Sequence, residues 1–396
     1  MASFSVRFLG CKVSQTDAQA LRERLIRDGH IEVDGAGDVA VVNTCCVTNE
    51  GLAKSRQAAA RAARSHGRVY VTGCGARLSG AALAGLPDNV MVVPGQIEQA
   101  VETVAGDVGA IACVQADARL DRVRAFVKIQ DGCSFSCAFC VIPLVRGATR
   151  SRSADAVLSE IGRRVAQGHP EIVLTGVNLG CFRDRAAGLT LAGLIRAAGA
   201  IEGVERLRLS SIEINHVDDD LVAALRETPA VGPHLHVPLQ SGDDGVLQAM
   251  ARRYTVETYL RRLAPLGDFN LTADVIVGFP AEDESAFERT LETVRAARLT
   301  KVHVFPYSPR PGTRTAAEDS VPPQVKKERS ARLRALSEDA CRSRWATKLG
   351  REDVVLVDRP GRGYGADYSP WLVDAPVGEL VRVRGAAVTE EGVRAA

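Results

Sequence analysis

Between residues 120 and 320, short β-branched and apolar runs alternate with helical stretches, and that rhythm constrains the fold more than any other feature of the chain. The strand candidates are Val123–Ile129, Glu171–Leu174, Arg206–Leu209, His234–Leu239, Leu271–Val277 and Lys301–Phe305. Ser153–Gln167 and Asp283–Ala297 are among the helical stretches between them. Six such units are too few to close an eight-stranded barrel, so the expectation is a partial (βα)6 barrel. Chemistry in such a barrel belongs at the C-terminal strand ends.

The first 110 residues repeat the pattern on a smaller scale. Ser3–Leu9, Asp38–Val42 and Arg68–Thr72 read as strands, and Glu50–Ser65 as a helix. Ser14-Gln-Thr-Asp17 resembles a capping box opening a helix with Ala18, Leu21 and Leu25 on one face and Gly29 at its end. This is a βαβ, Rossmann-like pattern with a small parallel sheet. Past 320, Val325–Leu349 reads as a long basic helix stopped by Gly350, and Val354–Val357 and Leu380–Val383 as strands of a small β-rich appendage. The expected domains are therefore 1–112, 119–349 and 350–396, in an α/β protein.

A net charge of +2 announces no nucleic-acid partner by bulk electrostatics. No apolar run approaches the roughly 20 residues of a membrane span. No signal peptide is visible, so the reading is cytoplasmic. Ten cysteines in such a chain point to metal or catalysis rather than disulfides.

Their placement supports metal. Lys128-Ile-Gln-Asp-Gly-Cys133-Ser-Phe-Ser-Cys137-Ala-Phe-Cys140-Val-Ile-Pro143 follows the first barrel strand directly. A Cys-x3-Cys-x2-Cys loop gives three thiolates to a four-iron cluster and leaves one iron open to S-adenosylmethionine. Zinc wants four ligands, and no fourth Cys or His is near in sequence. Cys11, Cys45 and Cys74 each fall just past the C-terminal end of an N-terminal strand, where an open α/β sheet forms its ligand crevice. Cys46 could compete as a ligand, but adjacent side chains in an extended segment point apart, so it reads as a bystander. Cys113, Cys181 and Cys341 read as small buried hydrophobes. The seven histidines show no metal-ligand spacing, and His236 and His303 read as barrel-interior residues.

These features resemble the radical S-adenosylmethionine methylthiotransferases. The resemblance rests on Phe8-Leu-Gly-Cys11-Lys-Val-Ser-Gln, Asn43-Thr-Cys45, Val71-Thr-Gly-Cys74 and the Cys133–Pro143 loop. It continues through Leu207-Arg-Leu-Ser-Ser-Ile-Glu213, His236-Val-Pro-Leu-Gln-Ser-Gly242, Asp274-Val-Ile-Val-Gly-Phe-Pro280 and Phe305-Pro-Tyr-Ser-Pro-Arg-Pro-Gly312. Gly10-Cys11-Lys-Val and His303-Val-Phe-Pro-Tyr are similar to the branch acting on threonylcarbamoyladenosine at tRNA position 37.

The resemblance implies two 4Fe-4S clusters and S-adenosylmethionine, used as methyl donor and as radical source. Cys11, Cys45 and Cys74 would hold an auxiliary cluster that presents the sulfur. The Cys133, Cys137 and Cys140 cluster would generate the radical that activates C2 of the adenine. No catalytic side chain beyond the cluster ligands is implied. Two clusters facing one closed cavity are expected, from two α/β units with apposed strand ends. S-adenosylmethionine contacts are expected at Thr175 and Gly176, at Ser211 and Glu213, at Gln240, and at Gly278. Asn178 stands where this branch often has His.

The implied partners are the tRNA anticodon loop around adenosine 37 and an electron donor such as a flavodoxin or ferredoxin, with no membrane. Lys54, Arg61 and Arg64, and Arg146, Arg150 and Arg152, could form a phosphate track. The tail resembles the TRAM domain, an RNA-binding β-barrel, through Gly363-Tyr-Gly-Ala-Asp-Tyr368 and Gly378-Glu-Leu-Val-Arg-Val. The alternatives are the isopentenyladenosine branch, methylthiolation of ribosomal protein S12, and a non-catalytic iron–sulfur RNA-binding module. The last fits poorly, because an electron carrier normally saturates its irons with four cysteines.

Overall fold

The computed structural model describes residues 1–78, 83–111 and 123–396. They divide into two compact units. The first comprises Met1–Leu120, Asp131–Thr149 and Arg310–Ala316; the second comprises Asp121–Gln130, Arg150–Pro309 and Ala317–Ala396.

The first unit is built on a five-stranded sheet in the order Ile31–Glu32, Ser3–Phe8, Gly37–Thr44, His66–Gly73, Val90–Val92, and every pairing is parallel. Its central strands are apolar on both faces because both are covered. Phe4, Val39, Val41 and Tyr70 pack with Leu21, Leu25, Ile97 and Val104 of two helices, Lys12–Arg27 and Ile97–Val108. The alternate residues Ala40, Val42, Val69 and Val71 pack with Ala58 and Ala59 of the helix Asn49–Ala62. Each large apolar side chain so buried contributes about 1.5–3 kcal/mol.

The capping box expected at Ser14–Asp17 is corrected. The helix starts at Lys12 with Cys11 as its N-cap, and Ser14 and Asp17 are buried inside it. Asp17 takes an ion pair with Arg146 instead of capping.

The second unit contains the six expected strands: Arg124–Lys128, Glu171–Thr175, Arg206–Leu209, His234–His236, Asn270–Val277 and Lys301–Pro306. They form two three-stranded parallel ladders, joined by the bridges Leu207↔Val231 and Ser211↔His236. This is the partial (βα)6 barrel. The helix Pro323–Ala346 packs on its last two strands and leads into a closed five-stranded β-barrel.

The small barrel buries Val355, Val357, Trp371 and Val393, and docks through charge. Glu171 is wholly buried and is paired by Arg206 (3.3 Å) and Arg208 (2.9 Å). A buried carboxylate needs such partners. The two arginines also donate to the carbonyls of Val354 and Gly365. Tyr364 and Tyr368, two of the residues that carried the TRAM resemblance, stack on each other, and Arg124 lies over both rings. Those aromatic faces serve this docking contact. Among the described residues no helix is long and apolar enough to cross a membrane.

Candidate functional site

The strand order of the first sheet reverses direction between Ser3–Phe8 and Gly37–Thr44. Ligands of open α/β sheets bind at such a reversal, beyond the carboxyl ends of the strands. Cys45 follows Thr44 directly, Cys74 follows Gly73 directly, and Cys11 lies three residues past Phe8. Parallel register sets the strand ends side by side, with Phe8 opposite Asn43 and Thr44 opposite Gly73. The three thiols are near enough that burial, then the charges of Cys74 and Cys11, push the Cys45 thiol above its ordinary range.

Glycines lie close beside Cys45. A Cβ at Gly10, whose φ is +121°, would come within 3.3 Å of Cys45 Sγ, and one at Gly51 within 3.6 Å. Ser55 is buried and fixes the Cys45 backbone from both sides, accepting from its N–H at 3.1 Å and donating to its carbonyl at 3.2 Å. Three converging thiols beside a glycine-lined space fit a cluster with one open iron.

Cys46 is fully buried. Its thiol hydrogen-bonds to Cys74, which raises the Cys46 pKa far above a free thiol and lowers that of Cys74 to about 6. Arg146 adds to this effect by donating from Nε to Cys74 Sγ at 3.1 Å.

Arg146 is the residue that sequence reasoning misplaced. Assigned to a phosphate track, it is buried, and it also bonds Asp131 at 3.0 Å and Asp17 at 2.9 Å. No local pattern announces a contact between residues 17 and 146. Arg152 bonds Glu160 (2.6 Å) and the Lys128 carbonyl, and Lys54 makes an exposed pair with Glu50 (2.6 Å).

The Cys133–Cys140 loop belongs to the same unit. Val141 and Val145, immediately after it, pack with Cys46, Cys74 and Leu78. The loop is fastened at its stem by Cys133 N–H to Gly147 O (3.0 Å) and by two bonds between Ser134 and Thr149 (3.1 Å each). Further along, Arg314 donates to Ser136 O (2.7 Å) and Thr315 to Ala138 O (3.2 Å). Gly132 makes the entry turn at φ +69°, where a Cβ would lie 2.1 Å from Ala148 O. The Phe135 N–H points at Cys133 Sγ, 3.4 Å away. All three thiols remain half-buried. Three accessible thiols, one receiving an N–H, fit the second cluster.

The expected S-adenosylmethionine contacts lie at strand ends of the second unit. The Thr175 carbonyl accepts from Ile129 N–H (2.9 Å), and a Cβ at Gly176 would sit 3.0 Å from Gln130. Gln130 Oε1 also accepts from Asn178 N–H at 2.8 Å. Ser211 bridges His236, while Glu213 is ion-paired with Arg252. Gln240 is left-handed at φ +64° and bonds Asp274 O and Ile276 N. Gly278 N–H donates to Glu282 Oε1 at 2.7 Å, and Arg329 donates to the same oxygen at 2.8 Å. The space a Gly278 side chain would take is filled by Lys326.

Cys341 donates to Thr300 O, and Cys181 Sγ lies 3.4 Å from His216 Nε2. Cys113 lies outside the described residues.

Residues 127–294 match the Radical SAM superfamily, and residues 3–95 match Uncharacterized protein family UPF0004. The chain is 33% identical to a threonylcarbamoyladenosine tRNA methylthiotransferase of Thermotoga maritima, over 99% of this chain and 96% of the relative. With the Bacillus subtilis protein of that name it shares 38%, over 90% and 85%. It also shares 33% with a tRNA-2-methylthio-N(6)-dimethylallyladenosine synthase of Paracoccus denitrificans, over 96% and 93%. A radical S-adenosylmethionine methyltransferase from Kitasatospora setae has a similar fold, with TM-score 0.55 at 14% identity over 79% of this chain and 76% of that one. With relatives above 30% identity matched along nearly their whole length, the chain belongs to the radical S-adenosylmethionine methylthiotransferases, enzymes whose superfamily implies a 4Fe-4S cluster and S-adenosylmethionine.

Proposed function

We propose that this enzyme adds a methylthio group to C2 of N6-threonylcarbamoyladenosine at position 37 of tRNA. The observation that carries the mechanism is the gathering of two cysteine triads in one unit. Support for the branch comes from Gly10-Cys11-Lys-Val, from His303-Val-Phe-Pro-Tyr, and from the names of the Thermotoga and Bacillus relatives.

Cys133, Cys137 and Cys140 would hold the cluster that binds S-adenosylmethionine, and Cys11, Cys45 and Cys74 an auxiliary cluster. When bound, these groups supply one-electron cleavage, a methyl group and the transferred sulfur. The chain's own part is to prepare the ligands. Arg146 and Cys46 stabilise the Cys74 thiolate by donating to it, as a ligand must be deprotonated to bind. Gly10 and Gly51 keep volume clear beside Cys45. Thr175, Gly176, Ser211, Glu213, Gln240 and Gly278 are the proposed contacts to S-adenosylmethionine, and Glu282 fixes the Gly278 amide among them.

Residues 1–112 would serve sulfur transfer, 119–349 radical generation, and the small barrel from 350 on would approach RNA. A flavodoxin- or ferredoxin-type protein of the cytoplasm would supply electrons. The test is mass spectrometry of nucleosides from tRNA of a strain lacking the protein. Threonylcarbamoyladenosine should persist without its 2-methylthio derivative. Loss of the methylthio group from isopentenyladenosine instead would reassign the branch, which the Paracoccus relative's name represents.

A further inference from the structure

His236, Asp274 and His303 come from three consecutive parallel strands of the second unit and converge. One ligand atom from each lies within 4.8 Å of the others. The convergence follows from register. Asp274 is directly opposite His303, and His236 is opposite Thr272, two residues before Asp274. Side chains two apart share a face, and neighbouring strands are about 4.8 Å apart.

That face is distinct from the apolar one. Leu271, Ala273, Val275 and Val302 are buried, while His236 and Asp274 are half-buried and His303 is exposed. His236 Nε2 lies 3.2 Å from Asp274 Oδ1, and the His236 and His303 ring centroids are 5.6 Å apart. Thr272 Oγ1 sits 2.9 Å from His236 Nδ1. When Nδ1 carries the ring proton and donates it to that hydroxyl, Nε2 turns its lone pair toward the carboxylate and the second imidazole.

We propose that His236, Asp274 and His303 form a site for a first-row divalent cation that uses none of the triad cysteines. Two imidazoles and a carboxylate are the donor set of such ions, and three protein ligands leave positions open for water or an oxygen ligand. Metal–ligand bonds of about 2.0–2.2 Å require the donors to draw slightly closer than they stand. The exposed His303 side chain can make that movement. Thr272 plays the outer part usual for a ligating histidine, fixing its tautomer and ring orientation. The bland alternative is a hydrogen-bonded His236–Asp274 pair with a bystander His303.

Manganese(II) distinguishes the two, added to anaerobically reconstituted, oxidised holoenzyme whose cysteines are occupied by iron. Oxidised four-iron clusters are silent in electron paramagnetic resonance, so loss of the free Mn²⁺ signal counts bound ion. One Mn²⁺ per chain is expected, with nitrogen couplings from imidazole in the pulsed spectrum. His303→Ala, at an exposed position, and Asp274→Asn should each weaken binding by at least about tenfold, and Thr272→Val by about 10–100-fold, with iron content unchanged. Absence of binding, binding without nitrogen coupling, or equal binding by the His303→Ala variant would overturn the proposal.

Discussion

The two cysteine triads of this chain are assembled by opposite means. Cys133, Cys137 and Cys140 lie on one short loop, held by bonds to nearby Gly147 and Thr149 and to Arg314 and Thr315 far along the chain. Cys11, Cys45 and Cys74 come from three strand ends, and only the parallel register brings them together. A loop triad can be damaged locally, whereas a distributed triad depends on the whole sheet. Between them stands Arg146, one buried cation that touches Cys74 and is anchored by Asp131 beside the loop.

The largest effects should come from removing each triad. Wild type should hold about eight irons, and either triple Cys→Ala variant about four. The Cys133/Cys137/Cys140 variant should form no 5′-deoxyadenosine. The Cys11/Cys45/Cys74 variant should still form it yet give no methylthio product. Methylthiolated tRNA from that second variant would end the division of labour between the triads.

Arg146→Met should be the most damaging single change, because it strands Asp17, Asp131 and Cys74 in a buried site. Breaking such a pair costs about 3–5 kcal/mol, readable as a lower midpoint in urea unfolding of the full chain. Both clusters should load poorly. Loss of only one cluster's iron would show that Arg146 does not couple the triads.

Two glycines give a matched, smaller contrast. Gly132→Ala forces a Cβ against the Ala148 carbonyl, and Gly10→Ala against the Ser14 and Cys45 side chains. Both positions have positive φ, a strain of about 1–3 kcal/mol for alanine. Backbone yields less readily than side chains, so Gly132→Ala should be the worse and should deplete the loop cluster. Gly10→Ala should deplete only the auxiliary one. Iron analysis with cluster-specific spectroscopy would decide, and the reverse pattern would contradict the assignment.

The smallest effect is expected from Cys46→Ala. It removes one buried sulfur, at about 1 kcal/mol, and one hydrogen bond to Cys74. Iron content should hold, while the auxiliary cluster becomes harder to reduce, since such hydrogen bonds raise the potential. Loss of half the iron would instead make Cys46 a ligand.

What the sequence determined by itself was whatever repeats over a few residues. The strand-and-helix rhythm marked three of the first sheet's five strands, missing the short Ile31–Glu32 and Val90–Val92, and all six barrel strands with small boundary errors. The Cys-x3-Cys-x2-Cys spacing marked its loop without any fold. Even the distributed triad was legible, because a cysteine just past a strand end is a local feature once sheet topology is granted. The tertiary structure alone decided the rest. It withdrew Arg146 from a surface track into a pair with Asp17, withdrew Asp17 from a helix cap, and turned Tyr364 and Tyr368 onto Arg124. It also converged His236, Asp274 and His303, whose separations carry no ligand motif. Such contacts depend on strand register and on the satisfaction of buried charge, and both arise only when distant segments pack together.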